Sequence, residues 1–218
     1  MLQTIHTKEI EPDVFLYDKP KGITSFAFVQ QVKRARGAKK AGHAGTLDPL
    51  ATGLMVVGFD AGTKKLTKYV GLGKEYEAAV RIGERRDTGD IEGEVVEEEA
   101  VPTIAEDTVR YVLESMLGTL RLPVPAYSAV KQGGTPLHRL VRGGKAFVQP
   151  VRDMEIRAAE LFGLSCAEGR CVVNVHFSVA SGVYIRSLAE ELGRRLGYPA
   201  TIENLRRVSV GDFRVWEE

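Results

Sequence analysis

The sequence predicts a mixed α/β domain built on a sheet, and three observations carry that prediction. Short apolar runs with two-residue alternation recur along the chain. Between them stand segments whose apolar residues keep helical spacing. The two kinds are interleaved irregularly, with no Gly-x-Gly-x-x-Gly turn after a strand and no phosphate-binding Gly-Lys-Ser/Thr loop, so a doubly wound nucleotide-binding fold has no support. A length of 218 residues fits one large domain, or one domain with a small appendage. Apolar residues at 44% and charged residues at 27% are ordinary globular usage and exclude a disordered or collagen-like chain.

Taken in order, Val14–Tyr17 reads as a strand stopped by the turn Asp18-Lys19-Pro20-Lys21-Gly22. Thr24 or Ser25 then caps a helix running to about Arg36, with Phe28, Val29 and Val32 on its apolar stripe and Gly37 as its stop. Lys39–Thr52, rich in glycine and without periodicity, reads as an ordered loop. Gly53–Gly58 is a buried strand, Ala61–Val70 a short basic helix, and Glu75–Ile82 a strand with Tyr76, Ala78, Val80 and Ile82 on one face. Thr103-Ile-Ala-Glu106 has the form of a capping box and predicts a helix to about Leu117. Leu122–Phe147, with its prolines and glycines, reads as a mobile loop holding at least one helical turn. Val172–Val179 alternates strictly. Ile185, Leu188, Ala189, Leu192 and Leu196 form a helical stripe ending at Gly197, and Val208–Val215 closes the chain as a strand.

The N-terminus is charged and lacks the apolar core of a secretory signal, and no run approaches the roughly 20 apolar residues of a spanning helix, so a cytoplasmic protein is expected. Cys166 and Cys171 are too few for a disulfide framework or a structural zinc site, and two reduced thiols are expected. The formal charge of +1 does not point to nucleic acid. Its distribution is uneven. Lys33, Arg34, Arg36, Lys39 and Lys40 lead into His43; Lys64, Lys65 and Lys68 form a second cluster; Arg139, Arg142 and Lys145 a third; Arg194, Arg195, Arg206 and Arg207 a fourth, while acid gathers in Glu84–Glu99. Such segregation gives either a positive face or simply solvated surfaces.

Three stretches can carry chemistry. The loop Gly42-His-Ala-Gly-Thr-Leu-Asp-Pro-Leu-Ala-Thr-Gly53 sets His43 and Asp48 between glycines that allow close backbone approach to a ligand. Asp48 before Pro49 also suits a plain turn, and a lone His43 suits a satisfied surface histidine. In Ser181-Gly-Val-Tyr-Ile-Arg-Ser-Leu188, Tyr184 and Arg186 are two apart and would share one side of an extended segment; a core tyrosine and a surface arginine at a helix start are the simpler reading. Tyr76 in Lys74-Glu-Tyr76 is by default a core residue.

With Asp18-Lys-Pro-Lys-Gly-Ile-Thr-Ser25, the run Gly42–Leu54 into Gly58, and Ser181–Leu188, the sequence resembles the TruB family of tRNA pseudouridine synthases. Gly62-Thr-Lys64, Lys74-Glu-Tyr76, Asp87-Thr-Gly-Asp90 and Tyr127-Ser-Ala-Val-Lys131 support the likeness in order, over about residues 13–215. The resemblance implies an α+β pseudouridine synthase fold with a mixed, largely antiparallel central sheet flanked by helices and a cleft across it. It implies isomerisation of a T-loop uridine of tRNA, at position 55 of standard tRNA numbering, after the base is flipped out. On it, Asp48 is the catalytic carboxylate, Tyr76 stacks on the base, Arg186 pairs with Asp48, and Tyr184 lies in the same pocket. His43 packs where the base has left the stack, Leu205 lines the pocket, and Lys64 and Asp90 belong to the neighbouring RNA-contacting surface. Tyr127–Phe147 resembles the family's mobile loop that clamps the T-arm.

That chemistry is redox-neutral and consumes no water, so no metal or organic cofactor is expected. It needs one ionised carboxylate beside the ribose, acting as nucleophile on C1′ or as base on C2′. An adjacent guanidinium lowers a carboxylate pKa by about 1–3 units and offsets burial. The expectation is therefore a single catalytic domain over residues 1–218 without the family's C-terminal RNA-binding domain of the PUA type. It acts on the tRNA T-arm as a monomer with no obligatory protein partner and no membrane. The competing readings are a non-catalytic RNA-binding or tRNA-folding protein and the guide-RNA-dependent branch of the superfamily.

Overall fold

A computed structural model describes residues 7–215. In chain order the elements are β1 (Thr7–Glu11), β2 (Val14–Lys19), α1 (Ser25–Ala35), β3 (Ala41–His43), β4 (Thr52–Phe59), a 3-10 turn at Asp60–Lys65, α2 (Thr67–Val70), β5 (Lys74–Ile82), β6 (Glu84–Arg86), β7 (Val95–Glu98), α3 (Glu106–Ser115), β8 (Gly118–Pro123), β9 (Lys131–Gln132), β10 (Thr135–Pro136), α4 (Leu137–Arg142), β11 (Val151–Ala167), β12 (Arg170–Val179), α5 (Ile185–Leu196), β13 (Ala200–Val210) and β14 (Phe213–Arg214). Strand pairing is mixed and mostly antiparallel, as expected. The chain divides into two compact units. The first holds residues up to Glu77, Ser178–Ser181 and those from Asn204 on; the second holds Ala78–Phe177 and Gly182–Glu203.

In the first unit the strand order is β1-β2-β4-β13, with β3 on β4 and β14 on β13. β2 runs antiparallel to β4, Val14 opposite Gly58 through Lys19 opposite Gly53. β13 runs parallel to β4 at Arg206–Thr52 and Arg207–Gly53, so the start of β4 is held on both sides. Val14, Leu16, Ala44, Leu54, Val56, Leu66, Tyr69 and Val210 pack as one buried cluster, each large side chain worth roughly 1.5–3 kcal/mol of burial. α1 begins where predicted: Thr24 is the N-cap and its hydroxyl accepts from the Ala27 amide. Its buried residues are Ser25, Phe28, Val29 and Val32.

In the second unit β12 alternates as read, with Cys171, Val173, Val175 and Phe177 buried, and β11 pairs antiparallel with β8. α5 buries Ile185, Leu188, Ala189 and Leu192. It ends at Gly197 with φ +88, where the Tyr198 amide reaches the Gly193 carbonyl and the Gly197 amide the Arg194 carbonyl. That pair of bonds satisfies two carbonyls left open at a helix end and requires a residue at ease in the left-handed region.

Several expectations are corrected. The basic helix over Ala61–Val70 is a 3-10 turn followed by the single turn α2: Thr63 bonds back to the Asp60 carbonyl, and Gly62 packs with its α-carbon against the Asp13 backbone. The capping box does not form. α3 starts after an extended Ala105 with no side-chain cap, and Glu106 and Asp107 supply the charge at its N-terminus instead. β13 begins at Ala200, well before Val208, and a turn at Gly211 separates it from β14. The loop over Lys39–Thr52 contains β3 and yields Thr52 to β4. The two cysteines are not free thiols: Cys166 and Cys171 form a disulfide. They face each other because β11 and β12 are joined at Glu168-Gly169, both with positive φ, a two-residue turn that brings flanking residues directly opposite. Among the described residues no helix is long and apolar enough to cross a membrane.

Candidate active site

The loop carrying Asp48 is tied to the first unit from beneath. Ser25, 2% exposed at the head of α1, donates its hydroxyl to the Leu47 carbonyl at 2.7 Å and accepts from the Leu47 amide at 2.8 Å. On the other side of Asp48, the Pro49 carbonyl accepts from the Gly22 amide at 2.8 Å and from the Lys19 ammonium at 3.4 Å. Lys19 is fully buried and also donates to the Pro20 and Ile23 carbonyls. The Ala51 amide closes a turn onto the Asp48 carbonyl at 3.1 Å. Asp48 itself is half-buried. The turn chemistry read for Asp-Pro is therefore present, and the loop is anchored at the residues on both sides of the carboxylate.

His43 ends β3, opposite Val57, and is half-buried. Burial lowers its pKa below the usual value; the Gly45 backbone partly offsets this, and the Arg207 charge adds to the lowering. The net lowering favours the neutral imidazole. Tyr76 sits on the buried face of β5, 8% exposed. Lys74, two residues earlier on that face, donates to the Val70 and Leu72 carbonyls and to the Ser181 hydroxyl. Burial first and Arg207 second push its pKa down to about 8. Leu205 on β13 is buried, and Lys64 is exposed on the 3-10 turn. The first unit thus carries His43, Asp48, Lys64, Tyr76 and Leu205.

Asp90, Tyr184 and Arg186 belong to the second unit. Extended backbone ends at Tyr184, the N-cap of α5, and Arg186 lies in the first helical turn. The two-residue periodicity does not carry across that boundary. Arg186 is 5% exposed and donates to the Thr88 carbonyl at 2.6 Å and the Tyr127 carbonyl at 3.1 Å, so it is not the surface arginine of the simpler reading. Asp90 is buried rather than displayed. Its carboxylate accepts from the Thr88 hydroxyl at 2.8 Å and the Glu92 amide at 3.1 Å, and so shapes the turn that Arg186 grips. Sequence reasoning missed Tyr127 as a partner of this turn: its hydroxyl donates to Asp87 at 3.1 Å. Among the described residues no three of His, Cys, Asp and Glu gather closely enough to hold a metal ion.

Residues 33–185 match the TruB family pseudouridylate synthases, N-terminal domain. The chain belongs to the TruB family. It is 40% identical over 201 residues to a tRNA pseudouridine synthase B of Xanthomonas oryzae pv. oryzae, covering 92% of this chain and 64% of that one. It is 40% identical over 205 residues to the enzyme of the same name from Leifsonia xyli subsp. xyli, covering 93% and 68%. The chain thus spans about two thirds of the length of these relatives, somewhat less for the first. Among solved structures, a Cbf5-Nop10-Gar1 complex superposes with a TM-score of 0.67 at 28% identity, over 90% of this chain and 48% of that one. The family span includes Asp48, Tyr76 and Tyr184 and ends one residue before Arg186. The fold is that of the family.

Proposed function

We propose that this TruB-family chain converts a T-loop uridine of tRNA to pseudouridine, at the position 55 of tRNA that the family likeness names, with Asp48 as the reacting carboxylate. The observation that supports this most is the loop: a half-buried aspartate is held by hydrogen bonds to the backbone of both its neighbours, inside a region that matches the family. Isomerisation breaks the N1–C1′ bond, turns the base and joins its C5 to C1′. One carboxylate at fixed position suffices, either attacking C1′ or taking the C2′ proton, and its worth depends on being held in reacting geometry.

Tyr76 and Arg186 complete the catalytic set, the first as the face on which the detached base rests, the second as the guanidinium that keeps a carboxylate ionised. Base–aromatic stacking is worth roughly 1–3 kcal/mol and tolerates rotation of the base. The family likeness assigns Tyr184 and Leu205 to binding of the target base. A neutral His43 packs against the opened stack without adding charge, and Lys64 holds phosphate, with Asp90 acting through the turn it shapes. The same reading places the protein in the cytoplasm with its tRNA, working on the T-arm as a monomer and without a protein partner.

The test is tritium release from tRNA transcribed with C5-labelled uridine, using the purified chain alone and its Asp48→Asn variant. The parent should release tritium and the variant should lose at least about 10³-fold, as removal of an essential nucleophile or base does. Release by neither, with tRNA still bound, would move the protein to a binding or partner-dependent role.

A further inference from the structure

Arg207 is 1% exposed, one of the largest fully buried side chains of the molecule. In the sequence it belongs to a basic cluster that would form a positive face or a solvated surface, and its burial excludes both. It lies on β13 opposite Gly53, the last residue of the Asp48 loop. Its Nε donates to the Leu54 carbonyl at 2.7 Å and its Nη2 to the Gly45 carbonyl at 3.2 Å. These two carbonyls stand at the two ends of the loop, three residues before Asp48 and six after it. One planar guanidinium therefore spans the loop's base. Its neighbour Arg206 turns the other way, to the Asp18 carboxylate and the Thr52 hydroxyl.

We propose that Arg207 is a positioning residue: its buried guanidinium staples Gly45 to Leu54 and so fixes where the loop presents Asp48. This rests on the proposed isomerisation. A guanidinium suits the task because its donors are fixed in one plane and its charge does not depend on pH, so both carbonyls are held at one separation. A lysine offers a single nitrogen on a flexible stem and does not set the two carbonyls at a fixed separation. Gly45, at φ +99, leaves room for this approach; a β-carbon there would stand 3.4 Å from Nη1 of Arg207. The hydrogen bonds of Ser25 and Gly22 hold the middle of the loop, and the staple holds its ends, which the middle anchors do not reach.

The test compares Arg207→Lys and Arg207→Met with the parent below the lowest of the three melting temperatures. It measures single-turnover rate at saturating RNA, RNA affinity, and hydrogen exchange by mass spectrometry. The staple predicts a rate lower by about 10- to 100-fold, the loss that misplacing a reacting group by about 1 Å produces. It predicts unchanged RNA affinity, faster exchange confined to the peptide around residues 44–53, and Lys less impaired than Met. Unchanged rate, a loss seen only in affinity, or exchange raised evenly across the first unit would each overturn it, the last marking a plain core role. Exchange requires no activity. A parent that forms no pseudouridine would sink the functional reading, while the exchange pattern would still decide whether Arg207 holds the loop.

Discussion

Lys74 shows how burial turns a basic residue into something other than an RNA ligand. Its ammonium is spent on two carbonyls and a hydroxyl, and its pKa is held at about 8 by burial and then by the Arg207 charge. In the unfolded chain it returns to about 10.4. Between these values the unfolded chain binds a proton that the folded chain has released, so stability rises with pH across that window; below it the folded state carries the full cost of the buried charge. Carbon-13 NMR of the lysine ε-carbons should show one midpoint about 8, absent from Lys74→Met. That variant should also show a flatter rise of stability from about pH 8 to 10. If every lysine titrates near the ordinary value, the account of Lys74 fails. At this scale the sequence displayed Asp48, because glycines and a proline around one carboxylate mark a loop. It did not display Ser25, Lys19 or Arg207, which act on that loop from other segments, Arg207 from 159 positions along the chain.

At the scale of elements, the parallel contact of β13 with β4 depends on Gly53. Its φ is +104, and a β-carbon there would lie 2.2 Å from the Arg207 carbonyl oxygen, which belongs to backbone and cannot swing aside. Gly118 has nearly the same torsion, φ +93, with nothing within 4 Å. The two glycines separate strain from space. Gly118→Ala should cost about 1 kcal/mol, the torsional term alone. Gly53→Ala should cost about 3 kcal/mol or more, because overpacking adds to it, read as a fall in urea midpoint at unchanged slope. Equal losses would mean the strands part without penalty. Elements with a clean one-sided pattern were legible: α1, α5, β5 and β12 each bury one stripe or one face, and their ends carry Thr24 and Gly197. β11 was not. Only Met154, Ile156 and Leu161 of its seventeen residues are buried, so its sequence lacks the alternation that marks a strand. β13 was half legible, because Glu203 and Asn204 interrupt its buried apolar residues after Ile202, and a buried Arg207 stands between Leu205 and Val210.

For the molecule as a whole, formal charge misleads until each cation is assigned. Lys65 and Lys68 are paired with Glu11, Arg206 with Asp18, and Arg194 and Arg195 with Glu191. Arg36 lies 3.6 Å over the Phe15 ring and donates to the Tyr17 hydroxyl. In two of the four basic clusters of the sequence most cations thus already have a carboxylate partner or, for Arg207, are buried. Arg34, Lys39, Lys40 and Lys64 of the first unit, and Arg139 and Arg142 of the second, are exposed, and on the proposed function they are the cations expected to meet phosphate. Each phosphate neutralised by such a cation releases counterion, and the logarithm of the binding constant falls with the logarithm of salt by about 0.7 to 0.9 per contact. Filter binding of tRNA across a salt series should therefore give a slope of a few units. Lys40→Ala or Arg142→Ala should reduce it by about one unit each. Arg194→Ala, which removes a cation already committed to Glu191, should leave it unchanged. A slope that falls equally with Arg194→Ala would mean that formal charge, and not the unspent cations, governs the grip on RNA.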